Sequence, residues 1–230
     1  VKDSEIDEIL ERAAQEKRKL DPMLLERVAG AIKPSLQPVR PLPPTWLLVA
    51  GLVLVCAAAA VAGAARAGFY GIEKLTPLEC ALIFPVLAVL AGLTAIEFVG
   101  EMIPGSRRRM APVTLLGIGC LLLVGTFAFL FRDYQTDHFV HAGIACLAVG
   151  VLHAVPAALL GWLLLRRGFA VNPIAAGLVV GTFAGLAGVG MLELHCANLQ
   201  ALHILIWHTA VVPVSGAIGA LVAWTFRVRR

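Results

Sequence analysis

Five of the six histidines, His138, His141, His195, His203 and His208, fall at or near the ends of the chain's long apolar blocks, and two cysteines, Cys146 and Cys196, join them. Imidazole and thiol are the side chains that move protons near neutral pH, form disulfides and bind soft metals such as zinc and copper. His138 and His141 are spaced i, i+3, and His195 and Cys196 are adjacent, but no CxxC or HExxH pattern sets a ligand geometry. Three uses of Cys146 and Cys196 therefore stay open. They can form a redox-active or structural pair, hold a metal ion together with the histidines, or sit at an interface without chemistry. Cys56, Cys80 and Cys120 read as small apolar side chains, the usual fate of free cysteine. His153 has no second histidine at its depth, so haem is not expected. The chain has no GxSxG, no Walker-type glycine loop and no poised pair of acids. It is not expected to be an enzyme, and no cofactor is expected beyond that metal ion.

The elements that position these residues are apolar blocks. Hydrophobic residues make up 59% of the 230 and charged ones 15%, against about half and about a quarter in soluble domains. The surplus comes in six blocks, Trp46–Ala65, Leu78–Gly100, Pro112–Phe131, Ala142–Leu165, Pro173–Leu192 and Leu202–Phe226. Each is long enough to cross a hydrocarbon core of about 30 Å as a helix. No block alternates in polarity as a membrane strand would. The expected fold is all-α, a bundle of six transmembrane helices.

Charge in the loops orients this bundle. The even connections and the tail hold Arg107, Arg108, Arg109, Arg166, Arg167, Arg227, Arg229 and Arg230, whereas the odd connections hold only Arg66, Lys74 and Arg132 as basic residues. The positive-inside rule puts the richer side, and both termini, in the cytoplasm. Cys146 and Cys196 then face the outer, oxidising side at comparable depth, where a bridge between them is geometrically feasible. Glu97 and Glu101, at the other end of the second block, read as partners of the Arg107–Arg109 run rather than as a proton relay. Gly177, Gly181, Gly185 and Gly188 give the fifth block a small-residue packing face. Pro85, Pro156 and Pro213 fall inside blocks two, four and six, where they kink a helix.

Residues 1–33 are of another kind, with seven basic and eight acidic residues. Ser4 can cap a helix whose apolar stripe is Ile6, Ile9, Leu10 and Ala13. Asp21-Pro22 restarts the pattern for a second stripe of Leu24, Leu25, Val28 and Ile32. Two helices this short are marginal alone and need a partner to cover their stripes. Pro34, Pro38, Pro41, Pro43 and Pro44 make a stiff connector over residues 34–45 to the first span. Basic residues are not interleaved with aromatics, so direct nucleic-acid binding is not expected.

The run Leu192-Glu193-Leu194-His195-Cys196, then Trp207-His208-Thr209 with Gly216 and Gly219, resembles the C-terminal hallmark of NrsF-type membrane anti-sigma factors. The stretch from Cys146 through Pro156, Arg166-Arg167-Gly168 and Asn172-Pro173 to Gly177 is similar to that family too, as is Val39-Arg40-Pro41 before the first span. The resemblance covers residues 34–226 and departs at His208 and Ala197, where tyrosine and proline are common. It implies a protein of the bacterial inner membrane that holds an extracytoplasmic-function sigma factor inactive. It further implies that two outer cysteines, here Cys146 and Cys196, take part in sensing. The expected partners are a sigma factor and the lipid bilayer. Ile6, Ile9, Leu10, Leu24, Leu25 and Val28 are the expected sigma-factor contacts. Burying such side chains is worth about 1.5–3 kcal/mol each before ordering costs. A small transporter, a metal-handling membrane protein and an accessory subunit of a membrane complex are the rival classes.

Overall fold

A computed structural model of the chain describes residues 22–32, 43–103, 106, 109–136, 139–166 and 172–228. The chain divides into two units, Val1–Leu42 and Pro43–Arg230. Of the first unit, the described part is one helix, α1 (Pro22–Ile32), which starts on Pro22 as the Asp21-Pro22 signal predicts. Val28 on this helix is exposed. Ile6, Ile9, Leu10, the side chains of Leu24 and Leu25, and His138 lie outside the described residues.

All regular elements among the described residues of the second unit are helices. Its elements are α2 (Thr45–Ala67), α3 (Pro77–Met102), α4 (Pro112–Leu130), α5 (Phe139–Leu165), α6 (Pro173–His195) and α7. The last begins as one α-turn (Ala201–His203), passes through a π-helical turn (Ile204–His208) and continues as α-helix over Thr209–Val228. Six helices are thus long and apolar enough to span a membrane. Local signals set their ends. Thr76 and Glu79 form a reciprocal capping box at the start of α3. Asn172 accepts from the Ala175 N–H at the start of α6. Gly68, at φ +106°, ends α2 in a conformation that side chains resist.

The six helices are not equivalent. In α6, 83% of the apolar window is buried, against 22–50% in the other five, and α6 touches every other long helix. Its sequence permits this, because glycine and alanine let neighbours close in from all sides. An added methyl at Gly177 would collide with the Gly219 carbonyl of α7, at Gly181 with the Ser215 carbonyl, and at Gly188 with the Gly150 carbonyl of α5. Phe98 of α3 and Phe183 of α6 stack in the core with ring centroids 6.4 Å apart. The surrounding helices turn Leu54, Val61, Leu121, Leu152 and Leu159 outward. Apolar side chains inside and outside suit lipid as the solvent. This is a membrane protein.

Most helix ends fall within two residues of expectation, and two differ by three. The fourth block starts at Phe139 rather than Ala142, and the fifth runs on past Leu192 to His195. The loop position expected for Glu193 is therefore corrected. It is 2% exposed and inside the helix, because a hydrogen bond from His208 takes the place of water on its carboxylate.

Candidate functional site

The end of the bundle carrying the α2–α3, α4–α5 and α6–α7 connections is laced by backbone hydrogen bonds. Leu194 O accepts from both Gly71 N and Ile72 N at 3.1 Å, and Asp133 O accepts from Ala201 N at 2.6 Å. Lys74 Nζ donates to Ala197 O at 3.2 Å. A side chain at Gly71 would run into the backbone of Glu193 and Cys196, so only glycine lets this loop lie flat on the end of α6.

Beneath the lacing lie Cys146, Cys196, His203 and His208, each offering one donor atom within 4.8 Å of the others. Three different elements bring them there. Cys146 is on α5, two turns from its start, and Cys196 caps the C-terminus of α6. The Sγ atoms are 3.4 Å apart, and both thiols are free. His203 Nε2 lies 3.6 Å from Cys196 Sγ. His208 Nδ1 donates to Glu193 Oε1 at 2.7 Å. The two imidazoles meet edge to face, with centroids 5.4 Å apart.

The π-turn makes the histidine pair possible. At about 100° per residue, positions five apart on an α-helix point about 140° away from each other. A turn closed by i→i+5 hydrogen bonds is wider and returns the fifth residue to the same face. His203 and His208 bracket the turn Ile204–His208, so both can face Cys196. Trp207 fixes this turn against α5. Its ring lies 5.6 Å from that of Phe139 and covers Gly143, where a methyl would clash with the indole.

Burial sets the electrostatics. His203 and His208 are 0% and 1% exposed, and Cys196 is also buried. The Cys196 thiol, just beyond the end of α6, is pushed above its ordinary value by its hydrogen bond with Cys146 and then by burial, while His203 and His208 pull the other way.

The other described histidines stand outside this cluster. His195 Nδ1 donates to Gly68 O at 3.0 Å, and its ring packs against Tyr70. His141 is exposed on α5. His153 Nδ1 meets Val149 O at 2.9 Å, within its own helix. Glu193 is the functional candidate that reading the sequence missed. The signal for it was an acid inside an apolar block, which is rarely idle. At the opposite end of the bundle Glu97 and Glu101 are buried, while Arg107 and Arg108 lie outside the described residues.

Across residues 34–227 the chain matches the NrsF family, described as negative regulator of sigma F. The chain belongs to this family. Membership implies negative regulation of a sigma factor. The match begins where the charged N-terminal segment ends. No curated protein and no solved structure matches the chain.

Proposed function

We propose that this chain is an anti-sigma factor of the bacterial inner membrane, with its termini in the cytoplasm. It holds an extracytoplasmic-function sigma factor through the N-terminal segment and releases it when the Cys146/Cys196 pair changes state at the outer face. Family membership over residues 34–227 is the observation that carries the regulatory reading. The arginine-rich even loops support the orientation. The 3.4 Å approach of the two thiols supports the input site, since a thiol pair this close responds as a unit.

The packing of α6 supplies a route from the rim to α2. Cys196 and Glu193 sit at the end of α6, and α6 packs along α2 through Gly190 against Ala60 and Met191 against Gly63. α2 begins where the proline connector ends, so a shift of α6 reaches the connector without any loop having to relay it. Packed helices respond to such a push by sliding between discrete arrangements. The middle of α6 is glycine, alanine, valine, leucine and phenylalanine, with one polar side chain, Thr182, whose hydroxyl donates to Leu178 O within the helix, and so bare a lining disfavours the transporter reading.

The test is co-purification. Full-length protein extracted in detergent is expected to bring down a sigma factor, and the double variant Ile9→Asp, Leu25→Asp to bring down at least about tenfold less. In cells, Cys146→Ser should make a sigma-dependent reporter unresponsive to thiol-reactive inducers. A wild-type protein that captures no sigma factor, or a double variant that captures as much as wild type, refutes the proposal.

A further inference from the structure

The geometry points to a preformed site for one thiophilic divalent cation, zinc or cadmium in class, held by Cys146, Cys196, His203 and His208 with Glu193 as the positioning residue. It deepens the proposed function by naming what the thiol pair takes up, and it rests on that reading only for its regulatory consequence.

Two thiols and two imidazoles are the donor set of closed tetrahedral sites. With bonds of about 2.3 Å to sulfur and 2.0–2.1 Å to nitrogen, donors around one such cation sit about 3.3–3.8 Å apart. The Sγ–Nε2 distance of 3.6 Å matches the sulfur–nitrogen spacing, and the Sγ–Sγ distance of 3.4 Å opens by a few tenths of an ångström to reach the sulfur–sulfur spacing of about 3.8 Å. All four donors lie within 4.8 Å of one another, so closing the shell needs movements of ångström size and no rearrangement of helices.

The second observation is His208. Its Nδ1 proton is committed to Glu193, and its Nε2 is buried with no hydrogen-bond partner. An orphaned buried nitrogen is destabilising. A cation removes that cost. A carboxylate on the far nitrogen of a ligating imidazole also fixes the tautomer and raises the donor strength of the near one. Binding is an exchange with a defined balance. One M²⁺ enters with the two imidazoles as neutral donors, the two S–H bonds break, two M–S bonds form, and two protons leave to solvent.

The probe is Co²⁺, which reports its own geometry. Full-length protein in detergent, reduced and stripped with a chelator, is expected to bind one Co²⁺ per chain. The visible bands should be those of a tetrahedral sulfur–nitrogen site, with thiolate charge-transfer absorption, and Zn²⁺ or Cd²⁺ should displace the ion. Cys146→Ser should remove one thiolate's share of the charge-transfer absorption and weaken binding. Glu193→Gln keeps the shape and should weaken binding about 10–100-fold while leaving the spectrum tetrahedral. Its melting curve, compared with wild type, separates loss of positioning from loss of fold. Protein with free thiols confirmed by titration that shows only octahedral Co²⁺, or affinity unchanged in both variants, overturns the site. Tetrahedral binding without any reporter response in cells leaves the site standing and sinks the signalling reading. A reporter that needs the thiols in a protein that binds no Co²⁺ does the reverse.

Discussion

A carboxylate and an imidazole 2.7 Å apart, each about 1–2% exposed, make each other tolerable inside an apolar bundle. Either alone would bury an unsatisfied polar group. Glu193→Ala should therefore lower stability by about 1–3 kcal/mol, and His208→Ala by a similar amount. The double variant should lose clearly less than the sum, because the second change removes a group the first had already orphaned. Denaturant titration in mixed micelles, followed by helical circular dichroism, reads this coupling; additive losses would mean the pair contributes nothing as a pair. The residue scale is also where the sequence was hardest to read. Cys146 and Cys196 could be matched by depth, because helical rise converts residue count into height. His203 and His208 could not, because a regular helix separates them around the axis and only the π-turn reunites them. The partner of Glu193 was hidden by the same turn.

At the scale of elements, the glycines of α6 were legible by spacing, but not which helices they admit. Small side chains every three or four residues announce a close approach without naming the neighbour. The coordinates assign Gly177 and Gly181 to α7 and Gly188 to α5. Gly181→Ala pushes a methyl into the Ser215 carbonyl, which belongs to backbone and cannot swing aside. This substitution should cost about 1–3 kcal/mol. Gly117 on α4 has open space around it, so Gly117→Ala should be neutral or gain up to about 1 kcal/mol from helix propensity. Midpoints of thermal unfolding in one detergent compare the two directly. Equal effects would show that α6 and α7 are not held at backbone contact. Helix ends were misread where a polar residue looked like the start of a loop. Glu193 ended the fifth block on paper because hydropathy scores its charge and cannot see the imidazole that receives it.

For the whole molecule, six spans could be counted from composition alone, since no soluble packing absorbs six apolar blocks. Their sidedness rests on a statistical pressure of arginine during insertion, and it decides which compartment's chemistry the thiol cluster meets. Cys196 itself is a poor reporter of sidedness, being buried beneath the α2–α3 loop, so failure to label it would say nothing of compartment. Exposed loop positions on opposite ends are better. Gln135 lies in the α4–α5 connection and Ser106 between α3 and α4, and both side chains are exposed. With a membrane-impermeant maleimide on intact spheroplasts, Gln135→Cys should label above the native background and Ser106→Cys should label only after the membrane is permeabilised. The reverse pattern would put the thiol–imidazole cluster on the reducing side, where thiols stay reduced and free zinc is scarce. A sensor of outer conditions would then have no access to its signal, and the N-terminal segment would face away from every sigma factor in the cell. One labelling experiment thus tests the premise shared by the regulatory reading and the input site, independently of whether the cluster binds a cation.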